Sequence, residues 1–177
     1  MSIRELTEQQ YVQTKLKITD NIHRMLRFLE KCLGTPDSIN PNIGKEFVFE
    51  MYVIFSHAVE EYGKRLYLDS LNSDNNGKYH VDYSRNGLLG HEVKLDLANN
   101  DLPDVIKVLY PAQFDKSNFS SDFASDEITV SRERRENVLH VGLDEKNNPT
   151  NITFDVDIDL LRKAVFEFRN YSNTWKL

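Results

Sequence analysis

Two long amphipathic stretches constrain this chain more than anything else in it. Over residues 7–33, Tyr11, Val12, Leu16, Ile22, Met25, Leu26, Leu29, Cys32 and Leu33 recur at spacings of three and four. That is the period of a helix with one buried face. Gly34 stops the pattern, and residues 35–44 carry Pro36 and Pro41 and read as loop. A second helix is expected over 45–71, with Phe47, Val48, Met51, Ile54, Phe55, Ala58, Val59, Tyr62 and Leu66 on its apolar face. A short connection between two such helices favours an antiparallel hairpin, which buries both faces at once.

The remaining segments are shorter. Residues 72–77 form a polar turn. Residues 78–97 alternate briefly (Tyr79, Val81, Tyr83; Val93, Leu95, Leu97), which fits either a small hairpin or irregular structure. A short helix is expected over 102–110, closed by Pro111, followed by a polar loop over 113–124 pinned by Phe114, Phe119 and Phe123. A third long helix is expected over 125–141, with Ser125 as its cap and Asp126 and Glu127 in the first turn, where the helix dipole favours them. Gly142 ends it. After a polar turn over 144–150, a last helix starts near Asp157 or Asp159 and carries Leu160, Leu161, Ala164, Val165 and Phe168. The expected fold class is therefore all-α. It is a four-to-five-helix up-down bundle in one domain over 1–177, with an irregular or small β insert between the second and third long helices.

Composition narrows the function classes. Cys32 is the sole cysteine, which excludes a disulfide framework and a cysteine-rich zinc site. No apolar run approaches the ~20 residues needed to span a bilayer, and the first ten residues lack the apolar core of a signal peptide. A soluble, cytoplasmic protein with no membrane partner is expected. The 22 basic and 28 acidic residues give a net charge of −6. Most of that lies over 96–127, where seven acids face only Lys107 and Lys116. The remainder is close to neutral, and no basic tail or stripe stands out along the chain.

Most active-site patterns are missing: there is no glycine-rich phosphate loop, no HExxH and no serine elbow. The alternation Asp155, Asp157, Asp159 resembles the start of a calcium loop. Its sixth position is Leu160 rather than glycine and its twelfth is Phe166 rather than glutamate. It reads instead as an extended lead-in whose last aspartate caps the final helix. No metal and no cofactor is expected. His57, beside Ser56, reads as a boundary residue of the second helix. Glu60 and Glu61 read as solvated, or paired with Lys64 and Arg65 at i,i+4. His23 and His80 have no accompanying pattern.

Residues 131–142 are different. They contain Arg135 and His140 separated by four residues, then Gly142, a turn and a closing amphipathic helix. Arg134 is an alternative partner for the same histidine. The pattern resembles the signature of the HEPN family, an arginine, four to six residues and a histidine. The resemblance implies a small helical bundle and a metal-independent endoribonuclease of a defence or toxin–antitoxin system. It makes Arg135 and His140 the catalytic pair, supported by Arg134, Glu136 and Asn137. A second occurrence, Arg85 and His91, encloses Gly87 and Gly90, which disfavour a helix.

These residue types suit the chemistry. Attack by a ribose 2′-hydroxyl needs an acid or base that titrates near neutrality, which histidine supplies. It also needs positive charge on the phosphate, which arginine supplies as a planar fork. Residues five apart on an ideal helix point about 140° apart, so both line one cleft only if the helix ends near His140 or the cleft lies at an edge; the resemblance implies the latter, a homodimer interface. RNA is then the substrate, with an antitoxin or defence-system protein as a further partner. A tyrosine two residues past the histidine, the modification site in some HEPN toxins, is replaced here by Gly142. The bland alternative is a solvated face of Arg132, Glu133, Arg134, Arg135 and Glu136. Against it, Arg135 shares a face of the expected helix with Ile128, Val138 and Leu139. The alternative function is a non-catalytic helical domain that binds a protein partner or a nucleotide.

Overall fold

The structure is a computed structural model that describes residues 2–40, 45–83, 93–96, 103, 127–130, 143, 145–149 and 157–175. Its first helix, α1, spans Glu8–Leu33. A capping box starts it: the Thr7 hydroxyl accepts from the Gln10 N–H at 3.1 Å, and the Gln10 side chain accepts from the Thr7 N–H at 2.9 Å. Gly34 ends it at φ 76° and ψ −164°, a conformation open essentially to glycine alone. A Cβ there would collide with the Ser38 carbonyl and the Asn40 N–H.

That tight exit lets the chain satisfy the terminal carbonyls of α1, which have no partner within the helix. The Gly34 N–H donates to Glu30 O. The Asn40 amide donates to Lys31 O and Cys32 O at 3.3 and 3.1 Å. Gly34–Thr35 (β2) and Ser38–Ile39 (β3) pair across the same turn. A 3₁₀ turn over Lys45–Phe47 then leads into α2, Val48–Asp69.

The two helices run antiparallel. Tyr11 donates its hydroxyl to Leu68 O at 2.5 Å, Lys15 pairs with Asp69, and Arg65 reaches Thr19. Helix α3, Ile158–Ser172, packs against α1, also in the opposite direction. Arg162 donates from Nε to Leu33 O at 2.7 Å, Arg169 pairs with Glu30, and His23 Nε2 donates to Ser172 O at 3.3 Å. The shared core contains Ile22, Leu26, Leu29, Leu33, Tyr52, Phe55, Ala58, Leu68, Leu161, Ala164 and Phe168, all fully buried. Each larger apolar side chain among them contributes roughly 1.5–3 kcal/mol through burial.

Short antiparallel strand pairs complete the described architecture. Ser2–Leu6 (β1) pairs with Tyr79–Tyr83 (β4), in a register running from Ser2 opposite Tyr83 to Leu6 opposite Tyr79. The Tyr79 ring stacks on Tyr11, with centroids 3.8 Å apart and planes within 3°. That contact fastens the ribbon to the start of α1. Val93–Asp96 (β5) pairs with Glu127–Val130 (β6).

The expected all-α, four-to-five-helix bundle is therefore incorrect. Among the described residues the fold is mixed, with three α-helices and small antiparallel strand pairs. The expected helix over 125–141 fails at its first turns, because Glu127–Val130 is a strand. Ile128, Thr129 and Val130 are β-branched, and their strand preference together with pairing to β5 outweighs the dipole benefit of acids at a helix start. The expected face shared by Ile128 and Arg135 on one helix falls with it. Tyr79–Tyr83 and Val93–Asp96 are strands, but not the small hairpin that one alternative gave: each pairs with a strand distant in sequence rather than with the other. The expected helix over 102–110 and loop over 113–124 lie outside the described residues, apart from Pro103.

Candidate functional site

None of Arg134, Arg135, Glu136, Asn137 and His140 lies within the described residues, and neither does the second pair, Arg85 and His91. Chemistry-bearing side chains that the structure does place are concentrated on α2 and where α2 meets α1 and the end of α3.

One turn of α2 holds His57, Glu60, Glu61 and Lys64. His57 Nδ1 lies 3.8 Å from a Glu60 oxygen, and its Nε2 lies 3.9 Å from a Glu61 oxygen. Lys64 donates to Glu61 at 2.8 Å. Glu60 and Glu61 are only 8% and 5% exposed, so the expectation of solvated carboxylates does not hold. The observed lysine pairing is i,i+3, between Glu61 and Lys64. His57 keeps about a third of its side chain in solvent, as a boundary residue should.

Arg65 is 5% exposed and joins three elements. Its guanidinium donates to the Thr19 hydroxyl on α1, lies 4.0 Å from Asp69, and sits 4.5 Å from the Trp175 ring centre. Trp175 stacks in turn on Tyr62, and Tyr62 and Tyr171 share a hydroxyl hydrogen bond at 3.0 Å. A buried cation needs compensation of this kind, because desolvation disfavours its charge. The arrangement fits an ionic layer that sets the register of the three helices. Sequence reasoning missed it because Arg65 reads as one more charge in a mixed-charge run. The signal available was its position three residues after Tyr62, on the apolar face.

Tyr11 and Asp74 titrate away from their ordinary values. Burial pushes the Tyr11 hydroxyl up, helped by the nearby Asp69 and Tyr79 and opposed by Arg65. Asp74 is held below its ordinary 3.8 by the hydrogen bond from His80, then by the backbone N–H groups of Lys78 and Asn76. The His80 contact is 2.8 Å. A depressed carboxyl pKa stabilises the fold above its unfolded value, and this contribution is lost as pH falls through the folded value. Acid should therefore weaken the turn over 74–78. A carbon NMR titration of Asp74 should give a midpoint below 3.8, and His80→Ala should move it back toward that value.

Of the Asp155–Asp159 alternation, the described Asp157 and Asp159 serve the start of the last helix. Asp157 accepts from the N–H groups of Asp159 and Leu160 at 2.9 and 3.1 Å, while Asp159 pairs with Arg162. The middle aspartate, not the last, starts the helix. Among the described residues, no group of three or more His, Cys, Asp and Glu side chains is placed to hold a metal ion. No helix there is long and apolar enough to cross a membrane. Compared with known proteins, the chain matches no protein-family model, no curated protein and no solved structure.

Proposed function

We propose that this chain is a metal-independent endoribonuclease of the cytoplasm, acting through Arg135 and His140. The observation that carries this reading is the sequence pattern itself, an arginine and a histidine four residues apart within 131–142. The helical-bundle context gives it no support, since β6 occupies the start of the segment expected to be one helix. In this reading His140 exchanges a proton as the ribose 2′-hydroxyl attacks the adjacent phosphorus, and Arg135 neutralises charge on the phosphoryl oxygens. The leaving 5′-oxygen takes a proton, and the other product ends in a 2′,3′-cyclic phosphate. Two copies of the chain form the active unit. An antitoxin or another defence-system protein restrains it.

The purified chain should cut RNA in the presence of EDTA and leave 2′,3′-cyclic phosphate ends. A broad panel of RNAs left intact would overturn the reading and favour a non-catalytic binding domain. Products ending in a 3′-hydroxyl would exclude the 2′-hydroxyl mechanism.

A further inference from the structure

The side of α1 opposite its core carries four cations that no linear run of charge reveals. Lys17, Arg24, Arg27 and Lys31 are all exposed. At about 100° per residue they fall within a sector of roughly 80°, spread over about 21 Å of helix. That sector lies opposite the buried Tyr11, Ile22 and Leu29. Phe28 borders it and is 50% exposed. Asp20 is the one acid in the sector among the described residues.

The cations that point inward behave differently. Lys15, Lys64, Arg65, Arg162 and Arg169 each face a carboxylate. On the outer face, among the described residues, Arg24 donates only to the Asn21 side chain, at 3.0 Å. Among the described residues, Lys17, Arg27 and Lys31 make no ion pair. Like charges at these helical spacings repel one another, and here they gather on one face of a chain whose net charge is −6. Such a face suits a polyanion, whose repeating charges relieve that repulsion. At its N-terminal end the row runs into a shallow groove of about 630 Å³, lined by Leu6, Gln10, Gln13, Thr14, Leu16 and Lys17.

We propose that this face of α1 binds single-stranded RNA, with its cations on successive phosphates and Phe28 as a stacking surface for a base. The choice of polymer rests on the ribonuclease reading above. Phe28 beside Arg24 and Arg27 supplies the aromatic element that single-strand binding uses together with positive charge. A bilayer fits less well, because a membrane-surface helix inserts its apolar face, and that face of α1 is already buried in the core.

The test is fluorescence anisotropy with a labelled oligouridine over a range of salt. Wild-type affinity should fall with salt at a log–log slope near −2.8, about −0.7 for each of four phosphates. Changing Lys17, Arg24, Arg27 and Lys31 together to Gln should weaken binding at least ~10-fold and flatten that slope. Phe28→Ala should weaken it about 5-fold or more with the slope kept. All five side chains are exposed, so unchanged circular dichroism and melting are expected to confirm folding. A quadruple variant with wild-type affinity and slope would overturn the proposal. So would equal affinity for polyglutamate, or for phosphatidylserine vesicles. The two readings separate cleanly: binding without cleavage leaves this surface standing and removes the nuclease. Cleavage by the chain together with wild-type binding by the quadruple variant does the reverse.

Discussion

Alanine at His140 is expected to lower RNA cleavage by about 10²–10⁴-fold, the usual contribution of a positioned acid or base. The melting temperature should barely change, because His140 follows the charged residues 132–136 and precedes Gly142, an unpromising place for core. Arg135→Ala should remove cleavage to a similar degree. Arg135→Lys is the sharper variant, since it keeps the charge but loses the planar fork that grips two phosphoryl oxygens. His57→Ala and His91→Ala should leave appreciable activity. Loss of cleavage on changing Arg85 or His91, with the His140 variant still active, would move the site to the other arginine–histidine pair.

The largest effect on stability is expected at Phe168. It is fully buried, and its ring meets Phe55, Tyr62 and Trp175 edge-on at centroid distances of 6.2, 5.8 and 6.3 Å. Phe168→Ala removes those contacts and leaves a void that its neighbours can fill only in part. The cost should be about 3–5 kcal/mol. In a chain of this size each kcal/mol lowers the melting temperature by about 2–4 °C. Phe28→Ala, on the exposed side of α1, should stay within ~0.5 kcal/mol of wild type. Similar melting of both variants and the parent would show that α3 is not docked on α1 and α2.

The parts of this architecture that were legible beforehand are those written in one local period. The reading of 7–33 as a helix stopped by Gly34 agrees with Glu8–Leu33, because twenty-six residues repeat a single face. The last helix was legible for the same reason, with Asp157 among its expected starts. The strands were not. Pairing of Ser2–Leu6 with Tyr79–Tyr83 is decided by a partner more than seventy residues away, and no local pattern encodes it. At Glu127–Val130 two local signals conflicted, acids suited to a helix start against three β-branched residues. The strand partner, also remote, decided the outcome. The basic face of α1 escaped for a geometric reason. Its members are spaced by seven, three and four, so they meet only when the chain is wound.

The docking of α3 has a kinetic consequence. Arg162 meets Leu33 across 129 positions of chain, and His23 meets Ser172 across 149. The α1–α2 hairpin closes over a much shorter span, so its loop-closure entropy is smaller and it is the natural nucleus. Helix α3 then joins a hairpin that is already in place. Mutations in α3 should act mainly by speeding unfolding, whereas those between α1 and α2 should slow folding. The lifetime of the folded chain is accordingly set by how firmly its last helix is held, through Phe168, Arg162 and the Trp175 stack.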